Sequence, residues 1–166
     1  MAVAATPPWR EPARPGRRLL EWSLLAVVVL VIVLLFLRQG QQVQGQAELA
    51  SIKTTLGALR TAAVMDDLQG RARGRPAATV TNPFELLQPP PLNYLGVLGS
   101  GQVSTLHPGS WWFDPQCSCA VYAPIEPRWL AGGAGEPLLR FRVFTAGGPM
   151  QLAALETYLW QGQRVD

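Results

Sequence analysis

The sequence is dominated by one apolar run, Leu24 to Leu37, which continues for 14 residues without a polar side chain. Extended back to Leu19, with Glu21 and Ser23 near its start, it covers 19 residues. As a helix this is roughly 28 Å, against a hydrocarbon core of about 30 Å. A stretch of this length and composition specifies a spanning helix whose first partner is membrane lipid.

The flanks predict a direction. Arg10, Arg14, Arg17 and Arg18 precede the run and only Arg38 follows it closely, so the positive-inside rule retains the N-terminus in the cytoplasm and exports the rest. A cleaved secretory signal has a similar basic and apolar plan, but here Arg38-Gln39-Gly40-Gln41-Gln42 follows the run and no small-x-small site closes it. Glu21 stands out, because an acid at the edge of a span is costly and usually has a partner or a task. One explanation is local: its carboxylate reaches back to the headgroups beside Arg17 and Arg18, three and four residues earlier.

Charge excludes one functional class. The formal net charge is +3, yet residues 39–166 hold nine Lys/Arg and nine Asp/Glu, while residues 1–38 hold five and two. All of the basic excess therefore belongs to the membrane flank, and nothing points to nucleic acid. The first 16 residues contain Pro7, Pro8, Pro12 and Pro15 with little apolar content, and they read as a disordered cytoplasmic leader.

Beyond the span (residues 17–38), Leu49, Ile52, Leu56, Leu59 and Ala63 recur at three- and four-residue spacing. This predicts a stalk helix over residues 39–70 with one apolar stripe, packed on its own domain or on a partner helix. Gly40, Gly45 and Gly57 each weaken that helix by up to about 1 kcal/mol relative to alanine, and they allow a bend near the membrane exit. Asp66 and Asp67 read as a solvated helix end, since adjacent residues point to different faces. Residues 71–81, with Arg71, Arg73, Gly74, Arg75 and Pro76, form a basic flexible linker.

Residues 82–166 predict a small antiparallel β domain. Asn82-Pro83-Phe84-Glu85 carries a capping side chain, proline at the first helical position and glutamate three residues after the cap, so one helical turn is expected before Pro89-Pro90-Pro91 ends it. A stiff extended segment to Tyr94 then joins stalk to sheet. Strands are expected at 110–114, 119–123 and 138–145, the last alternating Leu139, Phe141 and Val143 with Arg140 and Arg142. Residues 152–160 are expected as a fourth strand, with a short helix as the alternative. Trp111, Trp112, Phe113 and Tyr122 read as hairpin core, although adjacent tryptophans face opposite sides of a strand, which leaves one available as an exposed contact.

Gly16, Leu19, Leu20, Glu21 as the fifth residue after the glycine, and the apolar helix behind them resemble the N-terminus of type IV pilins and type II secretion pseudopilins. In that family the chain is cut after the glycine by a prepilin peptidase, and the glutamate neutralises the terminal amine of a neighbouring subunit. The resemblance implies Gly16 as the cleavage residue, Arg17 as the new terminus and Glu21 as the assembly glutamate. It also implies an α+β fold, pilin or pseudopilin subunits or inner-membrane assembly proteins as partners, and a bacterial inner-membrane location with a periplasmic C-terminal domain. The family usually has an apolar residue and then threonine after the cut, where this chain has Arg17 and Arg18. The blocks Asn82–Leu87, Pro89–Gly96 and Gly109–Pro115 are similar to those of accessory proteins in type IV pilus operons of the mannose-sensitive haemagglutinin type.

Cys117 and Cys119 are the only cysteines. In an exported domain a pair suggests a disulfide, but residues two apart in a strand have Cα atoms roughly 6.5 to 7 Å apart, at the limit of reach. Free thiols or a readily reduced bond are the expectation. His107 before Pro108-Gly109 reads as a turn residue, and two cysteines, one histidine and Asp114 do not make a paired zinc motif. No catalytic arrangement is visible and no cofactor or metal is expected. The sequence thus describes either an assembly subunit or a static bitopic scaffold that recruits a partner through its exported domain.

Overall fold

The computed structural model describes residues 15–74, 82–99, 107–133 and 135–165. The first fourteen residues of the expected leader and positions 75–81 of the expected linker lie outside them. Helix α1 runs from Pro15 to Ala72, 58 residues. It starts one residue before Gly16, with proline near the first turn, where its missing N–H would have no partner in any case and its φ is already helical. It also extends into the first residues of the expected linker. There Gly74, at φ +65°, ends the chain of helical bonds, with its N–H donating to the Arg71 carbonyl at 3.1 Å.

The chain divides into two compact units, Met1–Val43 and Gln44–Asp166. In the first unit the described residues are helical, and the apolar side chains from Leu19 to Leu37 are exposed. This helix is long and apolar enough to cross a membrane.

The second unit packs the remainder of α1 against β structure. Its strands are β1 (Tyr94–Val97), β2 (Trp111–Asp114), β3 (Cys119–Tyr122), β4 (Leu130–Ala131), β5 (Leu139–Thr145), β6 (Met150–Ala154), β7 (Tyr158–Trp160) and β8 (Gln163–Val165). They form a five-stranded sheet in the order β1-β2-β3-β5-β6 and a three-stranded sheet in the order β4-β7-β8.

The helical stripe is buried as the spacing requires: Leu49, Ile52, Leu56, Leu59 and Ala63 are each at most 6% exposed. Leu49, Ile52, Leu56 and Leu59 join Phe84, Trp111, Phe113, Tyr122, Phe141 and Trp160 in one core. At about 1.5–3 kcal/mol for each large apolar side chain, this face of α1 is held by its own domain. Trp111 lies at the centre of the aromatic packing, with ring centroids of Phe84, Tyr122 and Phe141 at 5.9, 4.8 and 6.2 Å.

Asn82 caps a short 3-10 helix, Pro83–Leu86: its Oδ1 accepts from the Phe84 N–H at 3.1 Å, and its Nδ2 donates to the Tyr94 hydroxyl at 2.9 Å. The Gln88–Pro89 peptide is cis.

Three expectations are corrected. The larger sheet is mixed, because β1 pairs with β2 in parallel. Residues 152–160 are not one strand: β6 and β7 belong to different sheets, separated by a bend at Leu155 and Glu156. The chain then reverses through Gln161 and Gly162, at φ +49° and +80°, the two positive angles that a tight two-residue hairpin uses. Finally, neither adjacent tryptophan is exposed. Trp112 is 1% exposed because a second small cluster, with Cys119, Val121, Leu98 and Leu138, covers its side of the sheet.

Candidate functional site

Polar groups at the seam between α1 and the sheets are spent on fastening. Glu48 precedes the first stripe residue and is 8% exposed. Its Oε1 accepts from the Tyr122 hydroxyl at 3.0 Å and from the Ile125 backbone N–H at 2.7 Å. Two donors on one buried carboxylate tie helix, β3 and the loop after β3 at a single point. One turn earlier the Gly45 carbonyl accepts from the Trp160 Nε1 at 2.8 Å. A side chain at 45 would collide with the Gln161 amide and stand 3.3 Å from Trp129 Nε1, so a glycine read as a helix weakener is what permits this approach.

The tyrosines register the same environment. Burial raises the Tyr122 hydroxyl well above its ordinary value, assisted by the Glu48 charge and by the hydrogen bond to it. Burial also raises Tyr94 and Tyr158, against opposing hydrogen bonds to Asn82 and to the Arg140 backbone respectively. Above the ordinary value of 10.0, unfolded tyrosines release protons that the folded domain retains. The unfolded state then binds fewer protons, and stability falls as pH rises. Thermal melts between pH 8 and 11 are expected to show a Tm that is flat at first and declines above about pH 10, with a smaller decline in Tyr122→Phe.

Cys117 and Cys119 are joined as a disulfide, with Cα atoms 5.2 Å apart. The extended-strand separation assumed from sequence does not apply, because Cys117 lies in the β2–β3 turn and only Cys119 is in a strand. Ser118, at φ +53°, folds the backbone between them. Asp114 shapes the turn by accepting the Gln116 N–H at 2.9 Å. Among the described residues no three His, Cys, Asp or Glu side chains gather at a point that could hold a metal ion.

The residues that the pilin resemblance singles out lie elsewhere. Gly16 and Arg17 are in the first turn of α1, and Glu21 follows in the next turn, on the exposed helix of the first unit. The structure therefore brings Gly16, Arg17 and Glu21 onto one helical segment and places Cys117 and Cys119 in a different unit. Ser23, two residues on, donates its hydroxyl to the Leu20 carbonyl at 2.9 Å, so that polar group is satisfied within the helix.

Glu48 was not legible from the sequence: it reads as one more polar residue beside the stripe, and its two donors lie 74 and 77 residues away. Compared with known protein families, curated proteins and solved structures, the chain matches none.

Proposed function

We propose that this chain is a single-pass subunit of the bacterial inner membrane, with a cytoplasmic N-terminus and a periplasmic β domain, and that its work is assembly rather than catalysis. On this reading it is a minor pilin, pseudopilin or accessory protein of a type IV pilus or type II secretion system. The supporting observation is α1: its apolar run from Leu24 to Leu37 is exposed throughout, and the apolar stripe of its later part is taken up by its own β domain. Thirteen of the 14 residues from Leu24 to Leu37 are Leu, Val, Ile or Phe. At about −0.3 to −0.6 kcal/mol each, insertion is favoured by roughly 4 to 8 kcal/mol, enough to carry one acid near the edge. Lipid and neighbouring spans then become the surroundings of this segment.

A second reading is an unprocessed scaffold whose helix only anchors and whose domain recruits a partner. It is favoured by Arg17 and Arg18, and by the helical start at Pro15, which places the Gly16–Arg17 bond inside the first turn.

Intact mass of the membrane-extracted protein and the response to Glu21→Ala separate the two. An assembly subunit is expected to lack residues 1–16. At matched expression, Glu21→Ala or Glu21→Gln should insert normally but recover several-fold less crosslinked partner subunit. Full-length mass with unchanged recovery would overturn the assembly reading and leave the anchor.

A further inference from the structure

Strand β6 ends the five-stranded sheet among the described residues, and its outer edge is the most suggestive surface of the second unit. In the β5–β6 ladder the Leu155 N–H donates to the Arg140 carbonyl at 2.8 Å. The alternation of an antiparallel pair then turns the backbone groups of Met150, Leu152 and Ala154 away from β5. Consistent with this, the Leu152 carbonyl accepts from outside the sheet, from Arg60 of α1 at 3.3 Å. Beside it lies an open groove of about 420 Å³, lined by Arg60, Arg164, Glu156 and the chain from 152 to 155. Among the described residues of its lining, two guanidinium groups stand with one carboxylate. Arg142, exposed on β5 directly opposite Ala153, adds a third cation on the outward face.

We propose that this edge binds an extended acidic segment of a partner protein by strand addition. The partner's backbone would pair with the outward N–H of Leu152 and the outward groups of Ala154, the Leu152 carbonyl staying with Arg60, and its alternate carboxylates would meet Arg60 and Arg164 beside the partners those arginines already have. Backbone groups repeating at the strand period select an extended peptide over a small anion, and the arginines select its charge. This surface does not depend on the membrane reading, since every residue in it belongs to the second unit.

The test uses the full chain in zwitterionic nanodiscs and two fluorescein-labelled octapeptides, one alternating glutamate with valine and the other lysine with valine. The glutamate peptide is expected to bind at least tenfold more tightly, to weaken with added salt, and to slow amide exchange at Leu152 and Ala154. Arg60→Gln combined with Arg164→Gln should weaken it at least tenfold. Ala154→Pro should do the same, because it removes an outward N–H while sparing the ladder to β5. Thermal melts establish that each variant is folded.

Equal binding of both peptides, or of neither, would overturn the proposal and leave the arginines as guards against edge-to-edge pairing. Loss in the arginine variant with full retention in Ala154→Pro would also overturn it, since that is the behaviour of a simple anion pocket.

Discussion

Trp111→Ala is expected to destabilise the β domain by about 3–5 kcal/mol, the range for removing a fully buried indole. Trp111 is 0% exposed and contacts aromatic rings contributed by the 3-10 turn, β3 and β5. A cavity there would lie beneath three rings held on separate elements of the core, so little collapse can compensate. Urea unfolding of the full chain in zwitterionic micelles, followed by near-ultraviolet circular dichroism, measures the loss. Since a small domain has about 5–15 kcal/mol in total, the midpoint should move by a large fraction of its value. Trp112→Ala, in the smaller cluster on the other side of the sheet, is the control and should cost less. Equal losses would mean that the central position of Trp111 carries no extra stability.

Glu48→Ala is expected to cost about 2–4 kcal/mol, because it leaves the Tyr122 hydroxyl and the Ile125 N–H without their acceptor in a buried seam. Glu48→Gln retains an acceptor oxygen and should recover roughly half of this. Tyr122→Phe removes one donor and should cost about 1 kcal/mol. The double variant Glu48→Ala with Tyr122→Phe should cost less than the two single losses added together, because the hydroxyl stranded by the first change is removed by the second. Strict additivity, read from the same urea curves, would show that the two groups do not share a stabilising bond.

The helix was the most legible part of this chain because both of its signals are local. A long apolar run and a three-and-four spacing need no knowledge of distant partners, and the five stripe residues are buried as read. The Asn82 cap was legible for the same reason. The central strands were recognisable from their β-branched and aromatic runs between turn residues. The remaining β structure was hidden by its brevity and its dependence on distant pairing. Strand β1 is four residues long, contains Gly96 at φ +96° and pairs in parallel, so neither alternation nor a hairpin signal marks it. The break between β6 and β7 falls at Leu155-Glu156, where no glycine or proline marks a turn. The spacing of Cys117 and Cys119 was read as strand spacing, because the left-handed backbone at Ser118 that brings them together is not announced by the sequence Cys-Ser-Cys. The β6 edge was invisible for a related reason: Arg60 and Arg164 line one groove only after the chain has folded.

The hydrogen bond from Trp160 to Gly45 spans 115 positions and closes the second unit with nearly its last strands. Its consequence is one of timing. Residues 44–72 leave the ribosome long before β7 and β8 exist, so the stripe of Leu49, Ile52, Leu56 and Leu59 has no complete surface to settle on while the chain is being made. Contacts of such long sequence separation form slowly, because the intervening loop must close before any of them contributes. The apolar run from Leu24 to Leu37 is local in sequence and needs no such distant partner. On the proposed single-pass reading, membrane insertion therefore finishes first and an unsheltered amphipathic helix waits for its C-terminal hairpin. During that interval it is exposed to proteases, to aggregation and to any chaperone that recognises a bare leucine stripe.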